Sequence, residues 1–147
     1  MMLVSFPTKI MIQGSWVNSP LFSYAVCRGT LAFIWFYQGL IPKLLYPHED
    51  ELAMSMAAGF SRSDAVQLAT IAGVLEIAMA VVTLIFWRQR WPMLLTLAAM
   101  IGLLAFVILV QPMLLVAAFN PVTTNVAVAA LSITSLHLLR VIGSDRE

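Results

Sequence analysis

Charge, cysteine and histidine are all scarce in this chain. Only 10% of its 147 residues are charged, where a soluble globular domain carries about 25%. So few charges cannot cover the surface of a water-soluble domain of this length. The formal net charge is +1, with no clustered basic footprint, which sets nucleic-acid binding aside. The single cysteine, Cys27, excludes an intrachain disulfide, a CxxC thiol relay and covalent haem attachment. Lying among apolar residues, it reads as a small core side chain. There is no GxSxG, no HExxH and no phosphate-binding glycine loop. With no catalytic motif, the sequence names no reaction and leaves open whether the chain is an enzyme.

What the sequence has is hydrophobic length. It is 61% hydrophobic, with a mean hydropathy of +0.94. A transmembrane helix needs about 20 mostly apolar residues, and four stretches qualify. The first covers about 21–45, with Ser19 as N-cap and Pro20 at the first helical position. The second covers about 65–87, behind the capping-box spacing of Ser61 and Asp64. The third covers about 92–110 and is stopped by Pro112. The fourth covers about 121–142, opened by Asn120 and closed by Gly143. The expected fold is all-α, an integral membrane four-helix bundle forming one domain over residues 1–147. The opening "MMLVSFPTKIMIQGSW" lacks the layout of a secretory signal. It reads as a retained segment lying at the membrane surface.

Lys and Arg orient these spans. Lys9, Arg28, Arg88, Arg90, Arg140 and Arg146 fall on one face, and Lys43 and Arg62 on the other. The positive-inside rule puts both termini in the cytoplasm. Trp16, Tyr46, Trp87 and Trp91 lie near the interfaces, as an aromatic belt requires. In the outer loop, acids Glu49, Asp50 and Glu51 precede an apolar segment and Gly59. Acids suit a first helical turn, and glycine suits the position past a helix end. A short interfacial helix over His48 to Ala58 is expected, with Lys43 ion-paired or beside its capped start.

The polar residues inside the spans carry the functional question. A charge at the bilayer centre costs at least about 2.5–3.5 kcal/mol and usually faces a partner in the bundle interior. Glu76 stands mid-way along span two on a face of Ala65, Ala69, Ala72, Gly73, Ala80 and Thr83, small enough for close helix approach. Its expected partner is Arg28, which shares a face of span one with Trp35 and Gly39. His137 in span four is placed at a similar depth. Two readings stay open for this cluster: a buried pair that fixes packing, or a site that handles a proton or ligand. His48 and His137 fall on opposite sides, so one chain cannot clasp a haem between them. "HED" at 48–50 offers no converging zinc ligands.

The block "RGTLAFIWFYQGLIPKLLYPHEDELAMSMAAG" (28–59), followed by "AGVLEI", resembles the DoxX-like family of small bacterial membrane proteins. The shared pattern falls on Arg28, Trp35, Tyr37, Gly39, Leu40, Pro42, Lys43, Leu44, Pro47, His48, Glu51, Gly73 and Glu76. The second half of the chain agrees in hydropathy only. The resemblance implies a four-span inner-membrane protein; better-known relatives are subunits or accessories of membrane oxidoreductases, including a quinone-reducing thiosulfate enzyme. On that basis the leading reading is an accessory of a redox or quinone-linked system, with quinone as cofactor by resemblance alone. Its partners would be the lipid bilayer and an oxidoreductase or a second copy of the chain. The alternatives are a binding or transport module for a small amphipathic molecule or lipid, with Glu76 as a protonation switch, and a structural anchor. The candidate site residues are Arg28, Trp35, Tyr37, Gln38, Lys43, Glu76 and His137.

Overall fold

The computed structural model describes residues 19–118 and 120–144. The expected surface segment at the N-terminus, with Trp16, lies outside them.

Helix α1 (Pro20–Gly39) starts as its sequence dictates: the Ser19 side chain accepts the Phe22 N–H, and Pro20 occupies the first turn. The helix then passes without a break into a wide π-helical turn, Leu40–Leu45. Pro42 explains the change of pitch. It lacks an N–H, and its ring clashes with the carbonyl four residues back, so the turn opens. The Tyr46 N–H accordingly bonds to the Ile41 carbonyl, five residues earlier.

The expected loop helix is present as α2 (Glu49–Ala57). His48 caps it through its side chain, Glu49, Asp50 and Glu51 fill its first turn, and Gly59 leaves it at φ +99°. Helix α3 (Arg62–Ile85) opens on Ser61, which accepts the Asp64 N–H and donates to the Asp64 carboxylate. Helix α4 (Trp91–Val110) ends before Pro112, where a 3₁₀ turn (Pro112–Val116) follows. Helix α5 (Pro121–Ser144) opens on Asn120, whose Oδ1 accepts the Thr123 N–H. Gly143 does not close it; the helix runs one residue further.

Packing follows the small residues. Helix α1 lies against both α3 and α5, and α4 packs on α5. The core is Leu31 and Trp35 from α1, Ala80 from α3, Met93 and Met100 from α4, and Val128 from α5. A second cluster of Leu52, Ala65 and Ala69 seats α2 on α3. The outward faces are apolar, including Leu75, Ile85, Ile101, Leu109 and Ile133. Soluble monomers rarely expose contiguous apolar surface on this scale. Helices α3, α4 and α5 are each long and apolar enough to cross a membrane. Helix α1 falls short on apolarity, because Tyr24, Arg28 and Gln38 interrupt it.

Candidate functional site

The structure separates the two charges expected to pair. Arg28 is fully buried and turns to the C-terminal end of α3. Its Nε donates to the Thr83 carbonyl (3.0 Å) and its Nη2 to the Thr83 and Phe86 carbonyls (2.6 and 2.9 Å). Its Nη1 donates to the Gln89 carbonyl (3.2 Å) and the Tyr24 hydroxyl (3.0 Å). All five guanidinium N–H groups are thereby used. Tyr24 in turn donates to the Trp87 carbonyl, and its ring meets Trp87 edge-on at 5.2 Å. The reason is local. A helix end presents carbonyls with no intrahelical partner and the negative pole of the dipole, and Arg28 lies at that end. Glu76 is seven residues back along α3, about 10 Å away along the axis.

Glu76 meets Lys43 instead. The Lys43 Nζ lies 3.3 Å from Glu76 Oε1 and also binds Glu51. Both side chains of the Lys43–Glu76 pair are 13% exposed. The pair exists because α1 and α3 cross on two glycines. A Cβ on Gly39 would stand 2.5 Å from the Gly73 carbonyl oxygen, and one on Gly73 would stand 2.8 Å from that of Gly39. At this crossing the Cβ of Lys43 lies over Gly73 and the Cβ of Glu76 beside Gly39. The small-residue face of span two does admit a neighbouring helix, as its sequence suggests. That neighbour presents Lys43, not Arg28.

A cavity of about 390 Å³ opens beside this pair. Its polar wall includes Gln38, Lys43, Glu51, Glu76 and Asn125, and its apolar depth includes Trp35, Met100 and Val128. The Trp35 Nε1 donates to Thr96 Oγ1 (3.2 Å), which itself donates to the Pro92 carbonyl, so the indole is fixed. Glu76 Oε2 is buried and has no hydrogen-bond partner. Buried polar atoms are nearly always paired, so a free carboxylate oxygen at a cavity wall marks a place where a donor fits.

Of the seven sequence candidates, Trp35, Gln38, Lys43 and Glu76 line this cavity. Arg28 serves the opposite end of α3. Tyr37 is exposed, beside Phe33. His137 is exposed too, and this corrects the expected cluster. The buried face of α5 is Val128, Ser132 and Ser135, and His137 lies two residues past Ser135, about 200° around the helix. Glu51 is one of the acids expected to pair with Lys43 and does so; at 22% exposure it shares Lys43 with Glu76. Asn125 and Thr96 gave no signal, being ordinary helical residues in sequence. At the mouth of the loop, Glu49 accepts two bonds from Arg62, at 2.7 and 3.2 Å. Those bonds first, and the charge of Arg62 second, hold the Glu49 carboxyl below its usual range. Among the described residues no three His, Cys, Asp or Glu side chains gather as a metal-binding group.

The DoxX-like family model matches residues 32–133, from within α1 to within α5. The chain belongs to the DoxX-like family. The match spans the Gly39–Gly73 crossing, Lys43, Glu51 and Glu76. It also extends through α4, beyond the motif-bearing first half. It is a membrane protein of that family. No curated protein and no solved structure matches the chain.

Proposed function

We propose that this DoxX-like protein is a four-span bundle of the bacterial inner membrane, with both termini cytoplasmic, that binds a small amphipathic molecule. The supporting observation is the cavity at the α1–α3 crossing, which is lined by Glu76, whose second carboxylate oxygen is buried and unpaired, and by apolar side chains. Lys43 is held by Glu51 and Glu76, so the group left to meet a ligand is Glu76 Oε2. The ligand's head therefore carries a hydrogen-bond donor, and its apolar body lies on Trp35, Met100 and Val128. Glu76 is the protonation-sensitive element: a proton on its free oxygen turns an acceptor into a donor and changes which head group fits. The accessory role in a redox or quinone-linked system rests on the family alone, and co-purification of an oxidoreductase would favour it. A purely structural anchor has no use for the cavity.

Native mass spectrometry of the protein extracted in mild detergent tests the binding reading. A small molecule is expected on the parent and lost or exchanged in Glu76→Gln, with helix content unchanged. A parent as empty as the variant overturns it. Reporter fusions after Glu147 and within 54–59 test the topology; a periplasmic C-terminus reverses the map.

A further inference from the structure

At the opposite end of the helices, a second cavity of about 470 Å³ lies between the start of α1, the α3–α4 turn and the end of α5. Its lining has three chemistries. Leu139 and Ile142 give it an apolar side, Tyr24 and Trp87 an aromatic floor, and Arg88 and Arg90 a cationic rim. The floor is rigid, because Tyr24 and the Trp87 carbonyl are tied into the Arg28 network. The rim is free to take a ligand. Arg88 and Arg90 are exposed, and no ion pair among the described residues engages either. Among the described residues, no carboxylate lines the cavity. Helix α4 starts at this turn with no side chain capping it, so its positive end adds to the potential of the two arginines.

We infer that this cavity is a binding site for an anionic phospholipid, whose phosphate sits between Arg88 and Arg90 and whose acyl chain lies on Leu139 and Ile142. Arginine is the side chain suited to phosphate, through its fork of N–H donors. Trp and Tyr side chains favour the headgroup depth of a bilayer. An apolar side within the same cavity selects a phosphate that carries a chain over a free one. In the proposed topology this end faces the cytoplasm, where the leaflet is anionic and basic pockets between helices take lipid headgroups. The site is separate from the Lys43–Glu76 cavity and does not depend on what that cavity binds.

The test incubates purified full-length protein with dioleoyl phosphatidylglycerol or dioleoyl phosphatidylcholine at equal concentration and counts adducts by native mass spectrometry. Two arginines at the membrane surface are expected to favour phosphatidylglycerol by about 30-fold. R88Q/R90Q should abolish the preference with thermal stability unchanged, since both side chains are exposed. Should that variant fail to fold, the parent carries the same test: its preference must fall steeply as ammonium acetate rises. Equal binding of the two lipids, a preference that survives R88Q/R90Q, or one insensitive to salt overturns the assignment. Inorganic phosphate alone is the last arm. If it displaces phosphatidylglycerol at millimolar concentration, the site is one for free phosphate and the lipid assignment fails.

Discussion

Arg28 and Lys43 are both cations drawn inward from the same helical run, and they are held in opposite ways. Arg28 meets carbonyl oxygens and a hydroxyl and spends every N–H it has. Lys43 meets two carboxylates at the wall of a cavity, and one oxygen of Glu76 remains unbonded. The first arrangement closes on itself and fastens α1 to the end of α3. The second leaves one carboxylate oxygen unbonded on a side chain that lines open volume, and the proposed binding function rests on that difference. A buried charge is therefore a poor marker of function until its donors and acceptors are counted.

The contrast can be broken by mutation, and the largest effect should come from the fastener. Arg28→Met leaves several buried carbonyls and the Tyr24 hydroxyl short of donors and should cost about 3–5 kcal/mol in detergent unfolding. Arg28→Lys should rescue little, since an ammonium cannot reproduce the fork. If Arg28→Met unfolds like the parent, the network does not hold α3. Next comes Gly39→Ala, whose Cβ meets backbone and not a flexible side chain. Overpacking of that kind costs about 1–3 kcal/mol, and it should also push Lys43 off Glu76. Bound ligand should fall in step with the melting temperature. Unchanged melting would mean that the helices do not cross on these glycines.

Smaller still is the paired change at the cavity. Lys43→Met leaves two carboxylates facing each other, while Lys43→Met with Glu76→Leu removes the conflict at one of them. The single variant should be the less stable by about 1–2 kcal/mol, and neither should bind ligand. A double variant that keeps its ligand would place the site elsewhere. Last is the exposed Glu49–Arg62 pair. Its lowered carboxyl contributes stability that is fully present above the ordinary carboxylate range and lost as pH falls through the lowered value in the folded protein. Glu49→Gln should remove that acid-side slope and leave melting near pH 7 almost unchanged. A large loss at neutral pH would show that α2 is anchored by this pair, and not by Leu52 against Ala65 and Ala69.

Much of the fold could be read from residue identity. Ser19 with Pro20, Ser61 with Asp64, and Asn120 act at helix starts as their chemistry requires, and Pro112 stops α4. The acids before Gly59 announced α2. The site was harder. Arg28 bonds mainly to backbone carbonyls, which every residue owns, so no side chain in the sequence advertised its partners. Looking for a carboxylate led to Glu76, the nearest acid by depth. His137 misled for a related reason. Its neighbour face on α5 is buried through Ser132, whose hydroxyl donates to the Val128 carbonyl on its own helix and so needs nothing from outside. The pairing of Lys43 with an acid of the loop was legible and is met by Glu51. Its second contact, with Glu76, depends on how the wide turn after Gly39 aims it and has no mark in residue identity.

The wide turn at Leu40–Leu45 also has a consequence for chain length. A π-helical turn holds one residue more than the α-helical turn it replaces, so this segment carries a surplus residue relative to the rest of α1. Deleting Pro42 itself would let the run close as an ordinary α-helix. Six π-helical residues and five α-helical ones turn through nearly the same angle, so all that follows would keep its direction relative to Gly39. A second deletion in this stretch would have no surplus left to absorb it and should act as a rotation of about 100°, changing which residue is aimed at Glu76, whereas the same edit in the α2–α3 connection would only change slack.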